Sequence, residues 1–147
     1  MTRIDFYVVA SSAQEERLAF VCKWVQKAYR AGKKVFIAVD NEKQANYLDN
    51  LLWQFEPESF LPHDCEGKPA SLAPVKIGFS GDCGDFHDCL VNLCADIPGF
   101  FSRFERVAEV VCQEERILEQ TRRHYSFYQE RHHPIQTHRL SVSQTLT

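Results

Sequence analysis

The segment from Gly32 to His63 restricts the possible folds more than any other part of this 147-residue chain. It begins with the apolar run Val35–Val39 (VFIAV), which is typical of a buried β-strand. Asp40 or Asn41 then caps a helix whose apolar residues recur on one face. A strand, a turn and an amphipathic helix of these lengths form half of a nucleotide-binding fold.

The same pattern occurs once before this segment. Ile4–Val9 (IDFYVV) reads as a buried strand, Ser12–Glu15 as a capping box that opens a helix, and Gly32 as the end of that helix. Consecutive strand–helix units imply right-handed crossovers between parallel strands. The sequence therefore predicts an α/β fold: a Rossmann-like, doubly wound, mostly parallel sheet with helices on both faces.

The pattern weakens after residue 63. Glu114 and Glu115 suit the start of a long helix that ends near Arg131. We expect one domain over residues 1–133, followed by a flexible tail over 134–147. Three further strands are predicted, the last of them at 106–112: Pro74–Phe79, Cys89–Leu93 and Arg106–Cys112.

The residues that such a fold uses to hold a nucleotide are missing. The first strand is followed by ASSAQEE, which has no glycine to let backbone approach a pyrophosphate. Asp40 occupies the place of a ribose-binding acid but is explained equally well as a helix cap. No G-x-S-x-G elbow is present, and no histidine has an assignable partner. We expect no nucleotide site, no cofactor and no catalysis.

Composition narrows the remaining classes. The net charge of −3 argues against general affinity for DNA or RNA, although the C-terminal part is locally basic. The chain shows no apolar run of spanning length and no signal peptide, so we expect a cytoplasmic protein with six reduced cysteines. Cys83, His87 and Cys89 in CGDFHDC leave open a zinc-binding alternative, which their loose spacing disfavours.

Trp53 is set off the apolar face of the second helix. Phe60 and Leu61 follow in an extended exit bracketed by Pro57 and Pro62. These aromatics either fold back as a small cluster beneath the loop or form an exposed patch that anchors a partner protein. The pattern favours the exposed patch.

The last helix is a second candidate surface. Leu118, Arg122 and Tyr125 share one face at i, i+4 and i+7, and Arg123 lies beside it. Guanidinium groups next to apolar surface suit an acidic peptide that ends in a hydrophobic residue. The alternative is a solvated, charged helix that only packs on the sheet.

GKKVFIAVDNEKQANYLDNLLW, followed by ESFLPH, closely resembles the chi subunit family of bacterial DNA polymerase III holoenzyme. The resemblance extends from DFYVV to RRHYSFY, about residues 3–131. It implies a Rossmann-like fold without nucleotide or catalysis, the nucleotidyltransferase activity residing in another subunit. Chi pairs with the psi subunit, which links it to the clamp loader, and binds the acidic, hydrophobic-ended C-terminal tail of single-stranded DNA-binding protein.

The resemblance also assigns residues. The psi-binding surface would contain Trp53, Phe60, Phe55 and Leu61. Helix lysines found in the family are replaced here by Leu118 and Ser126, so Arg123, Arg116 or Arg131 would supply the missing charge. The site for the single-stranded DNA-binding protein tail would contain Val111, Arg122, Tyr125, Arg123 and Leu118.

The function implied is a non-catalytic bridge in replication between the clamp loader and protein-coated single-stranded DNA. Two other functions stay open at this point: a nucleotide-binding enzyme on a Rossmann-like fold and a zinc-binding module. A helicase as an alternative partner at the psi surface, and direct contact with DNA, also stay open.

Overall fold

The computed structural model describes residues 1–55, 61–69 and 71–140. Helices and strands alternate for most of this length, and a short 3₁₀ turn at Phe101–Arg103 precedes β6. The elements are β1 (Arg3–Val8), α1 (Gln14–Arg30), β2 (Val35–Ala38), α2 (Glu42–Gln54), β3 (Asp64–Cys65), β4 (Val75–Gly78), β5 (Cys89–Asn92), β6 (Arg106–Val111), α3 (Glu115–Glu130) and β7 (Ile135–Arg139).

In the described part of the chain, seven strands form one sheet in the order β3-β4-β2-β5-β6-β1-β7. Every pairing between neighbours is parallel. β1 lies between β6 and β7, with Val8 opposite Val111 on one side and Arg139 on the other. The predicted α/β fold is confirmed, and the sheet is wholly rather than mostly parallel.

The two faces of the sheet are covered by different helices. Neighbouring residues of β1 point to opposite faces, because side chains alternate along a strand. Phe6 packs against Tyr125 of α3, with ring centroids 5.5 Å apart, whereas Tyr7 packs against Phe20 of α1 at 5.3 Å. The prediction of helices on both faces is therefore confirmed.

The helix ends differ in detail from the sequence-based expectation. α1 starts at Gln14 after Ala13, whose side chain cannot cap, and the predicted capping box does not form. Instead the Ser11 hydroxyl oxygen accepts a hydrogen bond from the Ala13 N–H at 3.0 Å. Asn41, not Asp40, caps α2 by accepting from the Gln44 N–H. Asp40 joins two strand ends, since its carboxylate accepts the Ala95 N–H after β5.

The C-terminal residues correct another prediction. A flexible tail was expected from residue 134, and Arg106–Cys112 was expected to be the last strand. Ile135–Arg139 instead forms β7, which pairs along β1 from Ile4 to Val8. The Leu140 N–H extends this pairing to the Val8 carbonyl at 3.0 Å. The strand forms because β1 needs a second neighbour. Without β7, the backbone N–H and C=O groups along the outer edge of β1 would be unpaired. Residues 141–147 lie outside the described part.

No helix in the described residues combines the length and the apolar character that crossing a bilayer requires.

Candidate functional site

A cavity of about 420 Å³ lies where α3 crosses the carboxyl ends of β6, β1 and β7. Four of the five residues predicted for a peptide-binding site, Val111, Leu118, Arg122 and Tyr125, line it. The remaining lining residues come from β1, the end of β6, α3 and β7: Phe6, Val8, Gln113, Thr121, Ser126, Thr137 and Arg139.

The cavity floor is apolar and well packed. Val111 is 1% exposed and Phe6 is 2% exposed, because both are strand residues covered by α3. The Tyr125 ring lies on Phe6 and remains 39% exposed, so it presents an aromatic surface that is supported from below. Leu118 is partly buried beside it. A floor of this kind suits an apolar side chain.

Two guanidinium groups belong to the same cavity. Arg122 comes from α3 and Arg139 from β7, and both residues are exposed. The expectation that Arg123, Arg116 or Arg131 supplies a second charge finds no support in their positions, since none of these three lines the cavity.

Two of those arginines have other contacts. The Arg116 Nε lies 3.4 Å from a carboxylate oxygen of Glu114, and the Arg131 guanidinium sits 3.6 Å from the centroid of the Phe127 ring. Arg123 is exposed on α3 beyond the cavity. The second cation at this site is therefore Arg139, which the sequence analysis had placed in the tail.

A buried polar network fixes α3 on the sheet beneath the cavity. Glu109 of β6 accepts a hydrogen bond from the Tyr128 hydroxyl at 2.7 Å and another from the Asn92 amide at 2.9 Å. Its second oxygen lies 3.0 Å from Nδ1 of His124. His124 and Tyr128 are i, i+4 neighbours on α3, so their side chains hold the inner face of the helix.

The network carries charge inside the protein. The His124 Nε2–H donates to the Ala95 carbonyl at 2.7 Å, while Nδ1 faces the Glu109 carboxylate. Both nitrogens can donate at once only when the ring is an imidazolium. Burial lowers the pKa of His124, but the hydrogen bond and charge of Glu109 outweigh it and raise the pKa above 6.5. Burial, followed by the charge of Glu109, raises the pKa of Tyr128.

The second candidate surface lies at the end of α2. The Trp53 side chain is 48% exposed, which confirms that it lies off the buried face of the helix. One side of the indole contacts the ring of His63, with centroids 4.3 Å apart. His63 is 6% exposed, and its Nδ1–H donates to the Leu61 carbonyl at 2.8 Å. Its Nε2 lies 3.0 Å from Asp49 Oδ1 without hydrogen-bond geometry within the described residues.

The other residues predicted for this surface are placed differently. Leu61 is 5% exposed and belongs to the core, and its assignment to the psi-binding surface stays a prediction. Phe55 is partly buried and packs against the same core. Both pack against the core. Phe60 lies outside the described residues.

The loop of the zinc-binding alternative does not bring its residues together. Cys83 and Cys89 are buried, whereas the side chain of His87 is 67% exposed. Across residues 1–55, 61–69 and 71–140, no group of three His, Cys, Asp or Glu side chains could hold a metal ion. All six cysteines are free thiols.

Comparison with known proteins identifies the family of the chain. The sequence model of the family described as DNA polymerase III chi subunit, HolC, matches residues 1–136. DNA polymerase III subunit chi of Pseudomonas aeruginosa is 41% identical over 140 residues, covering 95% of this chain and 98% of the relative. The chain belongs to the DNA polymerase III chi subunit family.

Two further chi subunits agree with this membership. The Escherichia coli protein is 31% identical, covering 87% of this chain and 91% of its own length. The Haemophilus influenzae protein is 30% identical, covering 82% of this chain and 85% of its own length. The resemblance to the chi subunit family is thereby confirmed. Apart from the last part of β7, both candidate surfaces lie within the matched residues 1–136.

Thr137 and Arg139 of β7 are among the cavity residues that the sequence analysis missed. A signal was present: in Ile135–Arg139 (IQTHR) β-forming residues alternate with polar ones, as in a half-exposed strand. The sequence analysis instead predicted a tail here, because Pro134 follows directly after the end of the last helix. Phe6 and Val8 were recognised as strand residues, but no local pattern could show that they would line a cavity beside α3.

Proposed function

We propose that this chi-family chain is a non-catalytic bridge in DNA replication. It links the clamp loader, through the psi subunit, to the C-terminal tail of single-stranded DNA-binding protein. The setting is the bacterial cytoplasm, at the replisome. Many tails on coated DNA raise the effective concentration, so that modest individual contacts suffice.

The observation that carries the tail-binding proposal is the cavity under α3. Its apolar floor, formed around Tyr125 and Val111, takes the hydrophobic end of the tail. Arg122 and Arg139 stand at the same cavity and pair with the acidic residues and the terminal carboxylate. An acidic, hydrophobic-ended peptide thus matches the cavity in two ways: its apolar end suits the floor, and its carboxylates suit the two arginines.

The test is titration of a fluorescent tail peptide at low salt. We expect Arg122→Ala and Arg139→Ala each to weaken binding by about tenfold, roughly 1.4 kcal/mol, because each removes a charge-assisted contact that is partly screened by solvent. Arg123→Ala is the matched control, since this arginine is exposed on the same helix but does not line the cavity.

Equal loss in the Arg123→Ala control would refute this cavity as the binding site. Absence of binding by the unmodified chain at low salt would refute tail binding itself. A peptide that lacks its terminal hydrophobic residue should bind much more weakly, since it leaves the apolar floor uncovered.

For the psi subunit we propose a surface centred on Trp53. A half-exposed indole that rests on a buried ring is a rigid anchor, because little side-chain freedom is lost on binding. The supporting ring is that of His63, which donates a hydrogen bond to the Leu61 carbonyl and lies beside the Asp49 carboxylate of α2.

Capture of psi on the immobilised chain tests this surface directly. We expect Trp53→Ala to weaken psi binding by about 2 kcal/mol or more, roughly thirtyfold in Kd. Tyr47→Ala is the control, since Tyr47 is an aromatic residue of α2 that is 55% exposed. Unchanged capture by Trp53→Ala would place the psi interface elsewhere.

A further inference from the structure

A second cavity, of about 710 Å³, lies on the α1 face of the sheet. It is formed by the C-terminal half of α1 and the amino ends of β5, β6 and β1, together with β7. The strand alternation separates it from the cavity under α3. Tyr7 and His138 line it, whereas their chain neighbours Phe6 and Arg139 line the cavity on the opposite face. The α1 cavity is therefore a distinct site.

The α1 cavity is basic although the whole chain has a net charge of −3. Five cationic residues line it against the two lining carboxylates of Asp88 and Glu105. A third carboxylate, Asp5, lies beneath with no exposed side-chain surface. The local charge is thus +2 with neutral histidine, and the C-terminal dipole of α1 offsets about half a unit. The cations are Arg3, Lys23, Lys27, Lys33 and Arg106.

Among the residues that the structure describes, two of these cations have a carboxylate partner. Arg3 and Arg106 pair with Asp5 at 3.1 and 2.8 Å, and His138 lies 3.0 Å from its other oxygen. Within the described residues, the ammonium groups of the three lysines make no ion pair or hydrogen bond. Lys23 and Lys27 are also i, i+4 neighbours, a spacing at which like charges destabilise a helix. An anion in the cavity would relieve that repulsion.

Aromatic rings form the wall between the cations. Phe20 and Trp24 of α1 are partly exposed and lie against the Tyr7 ring at 5.3 and 6.1 Å. The His138 ring stacks on Tyr7 at 4.7 Å with an interplanar angle of 13°. The Arg106 guanidinium lies 5.3 Å from the Trp24 ring centroid. The rings and the Arg106 guanidinium are thus held in place by contacts within the protein.

We propose that the α1 cavity binds single-stranded DNA. Cations interleaved with aromatic rings are the pattern by which proteins hold an unpaired strand, with phosphates on the cations and bases against the rings. An acidic peptide without apolar side chains would satisfy the lysines but would leave the aromatic wall unused. The cavity volume lies within the range of sites that accept a small organic group such as a nucleotide.

The test measures binding of a fluorescent oligo(dT) by the full chain at several salt concentrations. The purified protein must first be shown by mass spectrometry to carry no single-stranded DNA-binding protein, which would bind the oligonucleotide itself. We expect Lys23→Gln/Lys27→Gln to weaken binding by about tenfold at low salt. The slope of log K against log salt should fall by about 1.4, because each phosphate contact on a single strand contributes about 0.7.

The matched control is Lys43→Gln/Lys76→Gln, which removes the same charge outside the α1 cavity. Melting temperatures of both double variants verify folding. No binding of oligo(dT) by the unmodified chain, or an equal loss in both double variants, would overturn the proposal.

A second measurement separates DNA from an acidic protein segment. The chain has two tryptophans, so in a Trp53→Phe background Trp24 alone reports on the cavity. Oligo(dT) should quench the Trp24 fluorescence, and this quenching should be lost in Lys23→Gln/Lys27→Gln. Stronger binding of poly-glutamate than of oligo(dT), with loss in the same variant, would assign the cavity to an acidic protein instead. Neither measurement depends on psi or on the tail peptide.

Discussion

Single residues inside the protein decide whether α3 is held firmly on the sheet. The Tyr128 hydroxyl donates to the buried Glu109 carboxylate, and Tyr128 has no exposed surface. We expect Tyr128→Phe to lower the free energy of unfolding by about 1.5–3 kcal/mol, the range for a hydrogen bond to a charged group. Urea unfolding measures this. Tyr125→Phe is the control and should change little, since its hydroxyl makes no hydrogen bond within the described residues.

His124 makes the stability depend on pH. Because Glu109 raises the pKa of His124 in the folded state above its ordinary 6.5, the folded protein binds the proton more tightly than the unfolded chain does. The resulting stabilisation is complete below pH 6.5 and is lost as the pH rises through the folded pKa. Urea unfolding between about pH 5.5 and 8.5 should show this decline.

The decline should be smaller in His124→Gln and retained in His87→Gln, whose histidine is exposed. NMR titration of the His124 imidazole gives its pKa without unfolding the protein. A pKa below 6.5 would contradict the imidazolium assignment.

At the scale of elements, β7 completes two cavities at once. Residues of β7 that face α3 supply Arg139, and those that face α1 supply His138. We expect truncation after Pro134 to abolish tail-peptide binding and to lower the melting temperature, because it removes Arg139 and uncovers the edge of β1. Truncation after Leu140 is the control, and an equal loss there would show that β7 is not the cause.

The contact between β4 and β2 permits no side chain at Gly78. A Cβ at this position would overlap the Phe36 ring, which is itself 1% exposed and held in the core. We therefore expect Gly78→Ala to lower the free energy of unfolding by about 1–3 kcal/mol through overpacking. Thermal unfolding is the measurement, and an unchanged melting temperature would show that Phe36 can move aside.

For the whole molecule, the burial of the thiols predicts their chemistry. Burial raises the pKa of Cys22 and of Cys94 to about 12, so little reactive thiolate is present at neutral pH. We expect the folded protein to react slowly with a thiol reagent and all six cysteines to react in urea. Fast reaction of two or more thiols in the folded protein would contradict this packing. Reducing agent should leave the melting temperature unchanged.

Local sequence patterns were sufficient where an element is long or strongly apolar. β1, β2 and the three helices were predicted within one or two residues at most ends, because apolar periodicity reports directly on burial. The exposed position of Trp53 followed from the same periodicity. The two-residue strand β3 was missed, since so short a segment has no period.

The chain's sequence by itself determined the α/β class, the parallel pairing and the chi-family resemblance, since each of these follows from patterns within contiguous segments. Tertiary structure alone decided that Leu61 is buried, that Arg139 joins Arg122, and that Lys23 and Tyr7 line one cavity. Those groups lie far apart along the chain or depend on which side of β1 a neighbouring strand presents. A side chain's periodicity shows which face it shares within its own element, but only packing shows what lies opposite that face.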